Sequence, residues 1–155
     1  MPRACEAPAC RPGPVGDARV ARVVTLFEAL TRGDVARLGD TYRDDARFKD
    51  PFNDVQGVAA IQRVFTHMFD ALDAPRFVVS EALVQGDRCF LVWEFSFRFR
   101  RERREQRVRG GSHLVFAADG RIEAHRDYWD AAEELYEKLP VLGTLLRWLR
   151  GRMSA

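Results

Sequence analysis

The chain has 155 residues, 46% of them hydrophobic and 31% charged, with a formal net charge of +2. That length supports one domain with a real core, and so small a charge excess gives no electrostatic case for nucleic acid. No apolar run approaches the roughly 20 residues that span a bilayer, and the three cysteines, which show no metal-ligand spacing, read as reduced thiols.

Residues 1–16 hold four prolines and two cysteines without periodicity, and read as a disordered leader. With no apolar signal core there, a cytoplasmic home is expected. Asp17 can cap a helix carrying Val20, Val23, Val24, Phe27 and Leu30. Arg32-Gly33-Asp34 ends it and starts a short second helix with Val35, Leu38 and Tyr42. Ala46 to Lys49 is a short strand that Pro51 stops. Gly57 precedes an amphipathic helix with Ile61, Val64, Phe65, Met68, Phe69 and Leu72 on one stripe, and Pro75 closes that region.

Three longer strands follow, over Phe77–Gln85, Arg88–Arg100 and Arg107–Ala117. The second alternates, with Cys89, Leu91, Trp93, Phe95, Phe97 and Phe99 on one face. The arginine-rich stretch between the second and third reads as a solvated hairpin tip, because exposed aromatics are missing from it. Asp119-Gly120 then turns into a last strand ending near Trp129. Asp130 can cap a helix to Leu139, and residues 141–153 form a further amphipathic segment ending in Arg147, Arg150 and Arg152. The order of elements predicts an α+β domain over 17–139, with helices covering one face of a curved antiparallel sheet. The tail, 140–155, is expected to dock on the body; peripheral contact with an anionic membrane is the less favoured reading.

The last strand places His125, Asp127 and Trp129 on one face and Ile122, Ala124, Arg126 and Tyr128 on the other. An imidazole and a carboxylate two apart can hydrogen-bond and move a proton between them. Asp50, after a short strand and before proline, is a candidate general base; the plainer reading is an aspartate bonding turn amides. Trp93, Phe95 and Phe97 offer an apolar wall for a ligand or simply core. Ser112 and Tyr42 are candidate donors to a ligand; His113 should face away from Ser112 and ranks lower, and His67, beside the apolar stripe of its helix, reads as surface. No metal cluster, phosphate loop or nucleophile motif stands out, so neither metal nor cofactor is expected.

The stretch Tyr42-x-Asp-Asp45-Ala-x-Phe-x-Asp50-Pro51, followed by Gly57, Ile61, Asp119-Gly120-Arg121-Ile122 and Tyr128-Trp129, resembles the nuclear transport factor 2-like superfamily. The SnoaL-like and ketosteroid-isomerase-like branch is the nearer one, over roughly Asp17 to Trp129. The resemblance implies an α+β cone with a pocket, lined by the residues matching His125, Asp127 and Trp129. It also puts Asp50 where the isomerases hold their base, with Leu26 where they hold a tyrosine and Ser112 near their second aspartate. Two of those three groups are thus replaced. The expected function is cofactor-independent acid–base chemistry (isomerisation, cyclisation or hydration) on a small apolar or carbonyl-containing molecule. Asp50 would be the base and His125 with Asp127 the shuttle, in a homodimer formed through the exposed sheet face. The alternative is a non-catalytic ligand-binding or protein-interaction module of the same fold.

Overall fold

The computed structural model describes residues 16–100 and 103–131. Residues 1–15 of the expected leader, residues 101 and 102 of the expected arginine hairpin tip, and residues 132–155, where two C-terminal helices are expected, therefore lie outside the described residues; the rest of that tip is described, and β5 already begins in it at Glu105.

Asp17 opens helix α1 (Ala18–Glu28) as its capping chemistry dictates: Oδ1 accepts the Arg19 amide at 2.9 Å. Hydrogen bonds and charge from the Arg19 side chain hold its carboxyl down at about 2. Thr31 and Asp34 form a capping box for the next helix. That helix is a 3-10 helix over Arg32–Asp40, burying Val35 and Leu38. It ends before Tyr42, which instead opens β1 (Tyr42–Lys49), a strand four residues longer at its start than expected. Strand β2 (Asp54–Gln56) turns back on it and was not foreseen. Gly57, with φ of +90°, takes a conformation that L side chains rarely adopt and starts α2 (Val58–Ala71).

Strand β3 (Leu72–Gln85) runs straight through Pro75. The register shifts between Asp73 and Arg76, where Ala74 has φ of 49°, and again between Val79 and Glu81. Such bulges let a strand accept a proline and bend. Strands β4 (Arg88–Phe99), β5 (Glu105–Phe116) and β6 (Ile122–Tyr128) complete an antiparallel meander. The six strands form one curved sheet in the order β2-β1-β6-β5-β4-β3. It is mixed rather than wholly antiparallel, because β1 and β6 pair in parallel and set Phe48 beside His125.

The fold is thus the α+β cone expected from the sequence. The helices pack on the inner face of the sheet, where Val20, Val23, Leu38, Ile61, Leu91 and Leu114 are almost fully buried. Phe90, Leu83 and Tyr128 remain exposed outside. Ile122 departs from the expected alternation and is 0% exposed. The register slips between Val115↔Ala124 and Phe116↔Ile122, which returns Ile122 to the inner side. Among the described residues no helix is long and apolar enough to cross a membrane.

Candidate functional site

The inner face of the sheet does not close over itself. A cavity of about 310 Å³ remains between α2 and strands β3–β6, at the small end of ligand pockets. Leu91, Trp93, Phe95, Phe97 and Phe99 from the alternating face of β4 form one wall. Phe27, Phe65 and Phe77 face them from α1, α2 and β3. The rings pack on one another: Phe77 and Phe95 stack at 4.3 Å, and Phe77 meets Trp93 edge-on at 5.6 Å. Phe52 and Trp129, edge to face at 5.4 Å, both line the cavity, and Trp129 also borders a shallower surface groove. Phe52 is 54% exposed.

Polar chemistry gathers at one end. Ser112 on β5 lies directly opposite Asp127 on β6, and its hydroxyl donates to Asp127 Oδ1 at 2.5 Å. The Trp93 indole N–H donates to Ser112 Oγ at 2.8 Å. His125 Nε2 lies 2.7 Å from the same Asp127 Oδ1, and 3.3 Å from Ser112 Oγ. Behind the imidazole, the Tyr42 hydroxyl is 2.6 Å from Nδ1. The two rings are parallel within 3°. Phe27 and Phe48 hold the imidazole edge-on at 5.7 and 4.9 Å.

Proton positions follow from this arrangement. Burial, and then the charge of Asp127, push the Tyr42 hydroxyl well above its usual value. Tyr42 therefore keeps its proton and donates it to Nδ1. The imidazole proton then sits on Nε2 and points at Asp127, an assignment made from the network. Two chains of donors, Tyr42–His125 and Trp93–Ser112, thus converge on one carboxylate oxygen. Among the described residues every hydrogen bond to Asp127 falls on Oδ1, and the side chain is 16% exposed. Oδ2 is the open atom.

Asp50 also lines the cavity, but its carboxylate is engaged in its own turn. Oδ1 accepts the Phe52 and Asn53 amides at 2.7 and 2.6 Å, and the Asn53 side chain spans both oxygens at 3.0 Å. This is the turn chemistry of Asp-Pro-Phe-Asn. Asn53 escaped the sequence reading, although an asparagine three residues after aspartate in such a turn was a usable signal. Tyr42, expected to meet a ligand, is 0% exposed and lies behind His125. His67, expected on the surface, is exposed and also borders the cavity. Among the described residues no His, Cys, Asp and Glu side chains gather as a metal site.

Gly110 sets the position of Trp93. A Cβ at Gly110 would meet Trp93 Cη2 at 2.6 Å and the Tyr128 carbonyl oxygen at 2.9 Å. Neither neighbour can yield, one being a buried ring and the other backbone. Gly110→Ala should therefore cost about 1–3 kcal/mol and dislodge the indole from Ser112. Thermal unfolding reads the first effect, and a red shift in tryptophan emission reads the second.

The buried acids give a further expectation. Burial pushes the Cys89 thiol from 9.0 up to about 11, in the same direction as Tyr42. Each group stays protonated in the folded chain beyond the pH at which it ionises when unfolded. Their contribution to stability is complete below the unfolded values and is lost as pH rises through the folded ones. Unfolding midpoints in urea should hold up to about pH 9 and then fall, by up to about 1.4 kcal/mol per pH unit for each group. Tyrosinate absorbance should show Tyr42 ionising only with unfolding.

The SnoaL-like domain family profile matches residues 23–125. None of the curated proteins compared with the chain matches it significantly. Among solved structures, a hypothetical protein with a ketosteroid isomerase-like fold from Catenulispora acidiphila, in complex with trimethylamine, aligns with a TM-score of 0.68 at 13% identity, over 78% of this chain and 92% of that one. A SnoaL-like polyketide cyclase from Jannaschia, itself assigned only provisionally, gives 0.66 at 17% identity, over 78% and 91%. An LEH-like epoxide hydrolase of M. tuberculosis gives 0.61 at 14% identity, over 86% and 93%. At these identities the likenesses show the fold, and the profile, which spans most of the folded residues from α1 to β6, shows the family: this chain belongs to the SnoaL-like domain family.

Proposed function

We propose that the chain is an enzyme of cofactor-independent acid–base chemistry, acting on a compact, mostly apolar molecule held in the aromatic cavity. The observation that carries this reading is Asp127, which borders the polar end of an apolar cavity and takes its hydrogen bonds on Oδ1, leaving Oδ2 open. A base so placed meets its substrate away from bulk water, where proton transfer contributes most. In this reading Asp127 is the base, not Asp50, whose oxygens serve the turn. His125, held between the Tyr42 hydroxyl and Asp127 Oδ1, positions that carboxylate. Trp93, Phe95, Phe97 and Trp129 hold the substrate body. The reaction is an isomerisation, cyclisation or hydration, in keeping with the cyclase and epoxide hydrolase names among structures of this fold.

The test is turnover of a panel of compact epoxides and β,γ-unsaturated ketones, with products read by gas chromatography and mass spectrometry. Product formed faster by the native chain than by Asp127→Asn supports the proposal. Equal rates, or no product from any class, favour the second reading, a non-catalytic binding module. That reading draws on Asp50, whose engagement leaves Asp127 without a second free carboxylate to act as acid. The apolar outer face, with Phe90, Leu83 and Tyr128 exposed, supports a homodimer as part of the same proposal. Light scattering at micromolar concentration would return twice the chain mass if so. A cytoplasmic site of action belongs to this proposal too.

A further inference from the structure

We infer that the cavity selects a compact, largely apolar amine in its protonated, cationic form over neutral and anionic molecules of the same shape. Two features carry this. Asp50 and Asp127 both border the cavity, and neither lysine nor arginine lines it among the described residues. Lys49 and Arg126 border only the shallower groove outside, where Lys49 is paired with Asp54 and Arg126 lies over the Tyr128 ring. The two histidines that border the cavity are His125, hydrogen-bonded to Asp127, and His67, which is exposed. An anion entering would meet two carboxylates, with no lysine or arginine facing it among the described residues.

A neutral molecule gains at most one hydrogen bond at Oδ2. An ammonium makes that bond with charge on both partners, an ion pair as well as a hydrogen bond, and its charge is further stabilised by the surrounding aromatic rings. The volume limits the body attached to the nitrogen. About 310 Å³ holds on the order of ten water-sized groups, enough for one six-membered ring with a short arm. Trp129, just beyond the end of β6 and bordering the cavity with Asp127, is placed to meet the nitrogen or its carbon neighbours.

The inference rests on the proposed function only for Oδ2 facing the ligand; it holds whether or not a bond is made or broken there. Three probes of nearly one shape test it on the full chain: benzylamine, protonated near neutral pH, benzyl alcohol and benzoate. Quenching of tryptophan emission gives each Kd in physiological salt. Benzylamine should bind about tenfold or more tighter than benzyl alcohol, with benzoate the weakest. In Asp127→Asn the amine should fall to within about twofold of the alcohol, while the alcohol itself is little changed. Benzyl alcohol or benzoate equalling benzylamine would overturn the inference, as would an amine preference that survives Asp127→Asn. Failure of all three to bind overturns it as well, since the cavity would then reject the shape assigned to it. Should the variant not fold, the native ranking still decides. A failed ranking leaves the turnover experiment untouched, and absent turnover leaves the ranking untouched.

Discussion

Asp127→Asn should fold as the native chain does and lose about 10²–10⁴ of its turnover. The amide is the same shape as the carboxylate. Its oxygen can take the place of Oδ1 and accept the same two donors, His125 Nε2–H and the Ser112 hydroxyl. Its NH₂ then points where Oδ2 did, at the substrate, and cannot accept a proton. The network survives and the base does not, so stability should change by less than about 1 kcal/mol. Asp127→Ala separates the two roles. It leaves a buried imidazole N–H and a buried hydroxyl without their acceptor, at a cost of about 2–4 kcal/mol. Thermal unfolding of both variants, beside their rates, distinguishes loss of a base from loss of a scaffold. If Asp127→Asn keeps native turnover, Asp127 is not the base.

How much of this site could be read beforehand depends on the range of the contact. The row His125, Asp127 and Trp129 was legible because strand alternation is local. The aromatic face of β4 was legible for the same reason. Asp50 fell on the cavity, but its two readings differ only in which donors surround it, and those come from a turn that propensity cannot dimension. Tyr42 was misplaced twice, once as the end of a helix and once as a ligand contact. Its true position depends on β1 pairing with β6 in parallel, which places its hydroxyl on a residue 83 positions away. Nothing local announces such a pairing. The slip that buries Ile122 and the bulge that carries β3 through Pro75 belong to the same class: both are irregularities of register, set by the partner strand.

Tyr42→Phe tests the donor chain from its far end. The ring is kept, so the core around β1 stays filled, but the one donor to His125 Nδ1 goes. A buried lone pair without a partner should cost about 1–3 kcal/mol. The imidazole also loses the contact that fixes its angle from behind, so its hold on Asp127 Oδ1 at 2.7 Å loosens. Turnover in Tyr42→Phe should therefore fall about 10–100-fold, because the carboxylate is no longer held in place. KM should change little, since the aromatic cavity that holds the substrate body is untouched. Steady-state rates and thermal unfolding on the same samples read the two effects apart. A variant destabilised as expected but turning over at the native rate would remove Tyr42 from the mechanism. A fall in rate at unchanged KM would show that a residue with no access to substrate positions the carboxylate that touches it.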